Sequence, residues 1–301
     1  MLFLARYFME GPKQAYLAAA ALAVLTLLFS PVGFLLGAGI GLVTLQVGIR
    51  QGTQVMAAGG ATLLVLSQLV LGTPWTGLVG LLEFALPAWL FAAVLRQTGS
   101  LASTILMVVW LVGVAVIGFH LAVGDTVAWW QDVLKRVFQP AMEQAQVSLD
   151  AATWKQLAEL ATTMLAMSMT ILWIGMVLFA RWWQAALYDE GRFRQEFHNL
   201  TLPRQFIWLT GLVALAGLII GPGQHGLISE LFGVLSAGLM FQGLAVIHAL
   251  VDRRQMSSNW LFATYVLLML FPQVILLLAL LALIDLWLDL RQRYAMPNNE
   301  D

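Results

Sequence analysis

The chain contains no cysteine, only four histidines and few charged residues. Without thiols there can be no disulfide, no thiolate metal centre and no cysteine nucleophile. Charged residues make up 10% of the chain, against about 25% in a soluble domain. Its polar side chains are too few to coat an apolar interior, and lipid is the solvent that fits. A formal net charge of −1 leaves no basic footprint for nucleic acid. The chain has no GxxxxGK[ST] loop, no HExxH pair and no GxSxG elbow, so the common signatures of ATP binding, zinc hydrolysis and serine hydrolysis are missing. His120, His198, His225 and His248 show no metal-ligand spacing. Gly37, Gly39 and Gly41 sit inside an apolar run, without the strand–turn–helix context of a dinucleotide loop. No catalytic residue, metal or cofactor is expected, and the protein reads as non-enzymatic.

What is present is hydrophobic length. Hydrophobic residues make up 60% of the 301 positions, and the mean hydropathy is +0.84. Apolar runs cover 15–30, 32–49, 53–72, 76–95, 101–124, 157–180, 205–221, 226–250 and 258–290. They lack period-2 alternation and exceed the length of barrel strands, so each reads as helix. The expected fold is all-α: one integral membrane domain over 1–301, a polytopic transmembrane bundle of eight to ten spans. Arg6 and Lys13 precede the first run and further spans follow, so that run reads as a retained helix rather than a cleaved signal. The first two runs meet at Pro31 with almost no loop. The last would be roughly 48 Å as a straight helix, too long for a hydrocarbon core of about 30 Å. Pro272 lies inside it, and a re-entrant hairpin at Phe271-Pro272 is favoured over a single span.

Lysine and arginine set the expected orientation. Arg6, Lys13, Arg50, Arg96, Arg181, Arg192, Arg194, Arg204, Arg253 and Arg254 fall on one side, whereas 72–76 and 221–226 carry no Lys or Arg. The N-terminus and the 181–204 segment are therefore expected in the cytoplasm, and 125–156 outside. Within 125–156, Val127, Trp130, Leu134 and Val137 share one helical face, which suits either an interfacial helix or a lid on the bundle.

Three groups of residues stand out. Glu83, His120 and Glu230 lie inside spans, where ionisable groups are costly and usually have a purpose. With the expected orientation Glu83 lies about 10 Å, and His120 and Glu230 about 6 Å, below the outer surface at 1.5 Å per residue. They are the candidate lining of a ligand cavity, with Pro87 opening the backbone one turn beyond Glu83. The 181–204 segment starts with an Arg-Trp-Trp belt, offers Gly191 as a turn and ends at Pro203. It is a structured connector or a docking site for a partner. Ala15, Ala19 and Ala23 recur at spacing four, as helices in close contact do, and serve internal packing or a partner face. Asp285 and Asp289, at spacing four and followed by Arg291 and Arg293, read as a charge network at a helix end.

The stretches "ARYFMEGPKQAYLAAAALA", "GLVTLQVGIRQG", "RWWQAALYDEGRFRQEFHNLTLPR" and "LIDLWLDLRQR" resemble the YybS-like family of uncharacterised bacterial polytopic membrane proteins, its proteobacterial branch in particular, over nearly the full chain. The most specific pattern falls on Arg181, Trp182, Gln184, Tyr188, Gly191, Phe193, Glu196, Phe197, Leu200, Leu202 and Pro203. Where the family often has Asn-Pro-Gly-Gly, this chain has Asp189-Glu190-Gly191-Arg192. The resemblance implies the bacterial inner membrane and a fold similar to the substrate-binding subunits of energy-coupling factor transporters. Those subunits meet their transmembrane partner through an alanine stripe that Ala15, Ala19 and Ala23 match. It extends to MreD-type scaffolds of the cell envelope. The expected function is a small-molecule binding or transport subunit, with an envelope scaffold as the alternative. The expected partners are membrane lipids, another inner-membrane protein and a small-molecule ligand.

Overall fold

The computed structural model describes residues 2–221 and 226–293. Residues 222–225, His225 among them, lie outside the described residues. Every regular element among those described is helical: α1 (Leu2–Met9), α2 (Pro12–Leu28), α3 (Gly33–Gln46), α4 (Ile49–Leu71), α5 (Trp75–Gly80), a π-helical turn (Leu81–Ala85), α6 (Leu86–Thr98), α7 (Leu101–Val123), α8 (Thr126–Gln144), α9 (Ala151–Tyr188), α10 (Arg192–His198), α11 (Arg204–Ile220), α12 (Leu227–Arg253), α13 (Asn259–Leu270), α14 (Val274–Leu288) and a short α15 (Leu290–Arg293). All nine apolar runs are helical, the last as two helices. Five stretches are long and apolar enough to cross a membrane: Ile49–Leu71, Trp75–Thr98, Leu101–Val123, Ala151–Tyr188 and Leu227–Arg253.

Two boundaries differ from the sequence reading. α9 takes residues from both flanking segments and runs for 38 residues, about 57 Å at 1.5 Å per residue. Asp150 accepts from the Thr153 N–H at 2.8 Å at its start. Only at Tyr188 does the helix stop, ahead of Gly191 with φ +87, a left-handed conformation that glycine adopts without strain. The Arg-Trp-Trp stretch is thus the last two turns of a helix rather than a loop.

The described residues group into two compact units. The first comprises the chain up to Val108 together with Ile171–Leu200. Its centre is α3, buried on all sides from Leu36 to Leu45. Such a helix has no polar face and needs neighbours all round. Glycine lets them approach: a Cβ at Gly37 would stand 2.4 Å from Met176 Sδ, and one at Gly39 2.2 Å from the Phe8 ring. Ala15, Ala19 and Ala23 are buried on α2, with Ala19 beside Gly59 of α4. Their stripe faces into this unit.

The second unit comprises Val109–Thr170 and the chain from Thr201 onward. Here α12 is the central helix, buried from Gly233 to Val246. α13 and α14 form a hairpin beside it. The Gly243 backbone abuts that of Leu278, and Arg253 donates to the Arg291 carbonyl, so α14 runs in the same direction as α12. His248 Nε2 meets the Tyr265 hydroxyl at 2.9 Å, so α13 runs in the opposite direction. The reversal lies at Phe271, extended at φ −130 and ψ 96, as a residue preceding proline prefers. Asp285 is buried and paired with Arg291 at 2.7 Å. Asp289 turns left-handed and ends α14, so the two aspartates do not share a helix face.

A Cβ at Gly243 would fall 2.1 Å from the Leu278 carbonyl oxygen, and backbone cannot swing aside. Gly243→Ala should therefore cost about 1–3 kcal/mol and lower the thermal unfolding midpoint in detergent. Gly211→Ala, whose Cβ would meet open space, should not.

Candidate functional site

Two of the three ionisable residues singled out within the spans meet. His120, near the end of α7, places Nε2 2.6 Å from Oε2 of Glu230 in the first turn of α12. The Glu230 side chain is 4% exposed and that of His120 20%. Glu230 also benefits from the positive end of the α12 dipole. His120 Nδ1 has no partner among the described residues.

Next to this pair, α7, α11 and α12 enclose a groove of about 220 Å³. Its walls include Gly113, Ile117, Phe206, Leu231, Val234 and Leu235, all apolar. Ile117 precedes His120 by three residues and Val234 follows Glu230 by four, so the groove and the pair share helix faces. No single groove residue signals a site in the sequence, because an apolar wall reads like any other membrane helix.

Glu83 belongs to the first unit, on the π-helical turn. Its backbone is the more informative part. Pro87 has no N–H to offer the Glu83 carbonyl four residues earlier. Trp173 of α9 supplies one instead, with Nε1 donating at 2.8 Å. Pro87 was legible as a backbone opener; Trp173, 90 residues away, was not.

The 181–204 segment is tied down by charge. Arg181, with a side chain 11% exposed, holds Glu196 in a two-pronged pair at 2.7 and 2.9 Å. It also donates to Gln184 at 3.0 Å, and Gln184 donates to Gln46 at 2.9 Å. Arg192 bridges Glu196 and Asp189 at 3.0 and 3.1 Å. Phe193 stacks on Phe197 with centroids 5.8 Å apart. Trp182 and Tyr188 remain exposed. The Gly191 turn forms despite the departure from Asn-Pro-Gly-Gly. Leu202 donates its backbone N–H to the buried Gln242 at 2.8 Å just before Pro203 opens α11. Gln242 gave no signal beyond being a lone amide in an apolar run.

α8 begins with an Asp125 cap on Ala128 N–H and is held by Trp130 Nε1 donating to Thr162 at 2.9 Å. Trp129 stands edge-on to Phe119. Further along, Val137 and Phe138 are exposed.

The all-helical fold, with ionisable groups paired inside apolar spans, defines an integral multi-pass membrane protein. The chain belongs to the family described as predicted membrane protein (DUF2232), which matches it over residues 17–286. No curated protein and no solved structure matches it.

Trp173→Phe should leave the Glu83 carbonyl unpaired and cost about 1–3 kcal/mol. Adding Pro87→Ala restores an N–H to that carbonyl and should recover most of the loss. A double-mutant cycle on thermal unfolding in detergent measures this coupling; purely additive effects would refute it. Glu196→Gln leaves Arg181 without a countercharge. It should cost about 2 kcal/mol, less than a fully buried broken pair, and speed hydrogen exchange over 189–200.

Proposed function

We propose that the chain is a non-enzymatic small-molecule binding or transport subunit of the bacterial inner (cytoplasmic) membrane. The observation that carries this reading is the largely buried His120–Glu230 pair beside an apolar groove. Ionisable groups are expensive at membrane depth and are usually kept for a ligand or an ion path. The YybS-like resemblance, with its likeness to energy-coupling factor substrate-binding subunits, points the same way. The alanine stripe does not: Ala15, Ala19 and Ala23 are buried against the chain's own helices and leave no surface for another protein.

In this reading the N-terminus is cytoplasmic, eight helical crossings alternate from α2 to α12, and the α13–α14 hairpin re-enters the bilayer. The pair then lies in the outer half, below an external α8, and 181–204 faces the cytoplasm. A reporter active only in the cytoplasm should be active when fused after Arg194 and inactive after Lys155. The reverse pattern would invert the topology.

A scaffold resembling MreD-type proteins is the second reading. It is favoured by Trp182 and Tyr188, exposed on a segment locked by Arg181 and Glu196. Affinity purification in mild detergent, with mass spectrometry of proteins and small molecules, separates the two. A bound small molecule without a stoichiometric partner supports the binding subunit. A stoichiometric partner without a ligand supports the scaffold.

A further inference from the structure

We propose that the groove between α7, α11 and α12 holds one acyl chain of a bilayer phospholipid, with the ester region of that lipid at the His120–Glu230 pair. The inference rests on the binding-subunit reading and names its ligand class.

The walls come first. Apart from the indole N–H of Trp110 at the exposed rim, none of the residues lining the groove carries a polar side-chain group. A polar solute lodged in its depth, beside Phe206, Val234 and Leu235, would lose its water and find no hydrogen-bond partner among them, which is costly. A helix, about 10–12 Å across with its side chains, is too thick for a space of about 220 Å³. A single hydrocarbon chain fits both conditions. Trp110, Val114 and Ile117 are exposed along the rim, while Phe206, Val234 and Leu235 are buried beneath. The rim belongs to α7, one of the helices able to cross the membrane, so the groove opens where hydrocarbon is the surrounding medium.

An apolar groove alone would not select a lipid. Bilayer chains are as apolar as leucine, so moving one into the groove gains little from the hydrophobic effect. Selection needs a polar anchor at a fixed distance along the chain. The His120–Glu230 pair is that anchor, beside the groove on the same helix faces. Glu230 engages Nε2 of His120; with both ring nitrogens protonated, Nε2 donates to Glu230 and Nδ1–H is left to donate to an ester or phosphate oxygen of the lipid. His120 is the more exposed member of the pair, as a group that greets a ligand must be.

The test uses the full chain in vesicles of phosphatidylcholine and phosphatidylethanolamine. A trace of phosphatidylcholine carries a photoactivatable diazirine midway along one acyl chain. After irradiation, labelled peptides are mapped by mass spectrometry. The label should concentrate on 109–117 and 231–235, well above the exposed Leu218 and Ile219 of α11 and Leu277 and Leu280 of α14. Gly113→Leu should abolish that excess, because a Cβ there meets only an ordinary contact with Leu231 and the longer side chain grows into the groove. His120→Ala should lower it about fivefold, the worth of one hydrogen bond, with the walls unchanged. Even labelling of all exposed helices, or an excess that survives Gly113→Leu, overturns the proposal. If labelling is even but a non-lipid molecule co-purifies, the acyl-chain assignment fails and the binding subunit stands. If labelling is even and a protein partner co-purifies without a ligand, both fail.

Discussion

In hydrocarbon no water is available to satisfy a backbone amide, so every N–H and C=O must find a partner within the protein. The places where the helical ladder is interrupted show how strictly this holds. Pro87 cannot serve the carbonyl of Glu83, and the indole of Trp173 arrives to do so. The N–H of Leu202, just before α11, finds the side chain of Gln242. Arg253 caps the carbonyl of Arg291 near the end of the hairpin. At these three places the repair is a long side chain from a distant part of the sequence. These repairs bind remote segments together and set which helices must be neighbours.

The second constraint is that apolar contact alone does not favour helix association in lipid. Close approach and polar pairing must supply it. α3 and α12, each the centre of its own unit, carry glycines where neighbouring atoms press in: Gly37 and Gly39 on one, Gly233 and Gly243 on the other. The polar contribution comes from a few pairs, His120–Glu230, Arg181–Glu196 and Asp285–Arg291. Each is largely buried and each joins residues from different helices or helix ends.

The helices themselves were legible because hydrophobic length leaves no alternative in a membrane. The excess length of the last run, Pro272 inside it and Arg291 and Arg293 after it together favoured a hairpin over a single span. Helix ends were less visible: nothing in "RWWQAALY" distinguishes a membrane-surface loop from two more turns of α9, and the structure continues the helix to Tyr188. Of the candidate site, the ionisable residues could be named, since charge in an apolar run is conspicuous. Their grouping could not. Depth estimates place Glu83, His120 and Glu230 near one level but say nothing about which way each helix is turned. The groove was invisible for a further reason: concavity depends on how three helices lean together, and leucine or valine at a wall carries no mark of it.

The α13–α14 hairpin bears on how the protein is made. α13 has 12 residues and α14 has 15, rises of about 18 and 22 Å, both short of a hydrocarbon core of about 30 Å. Either one alone, run straight, would stop short of the far side of such a core. α14 finds its seat along Gly243 only once α12 has formed. The docking of the hairpin therefore has to follow the formation of α12, an order of assembly written into the packing.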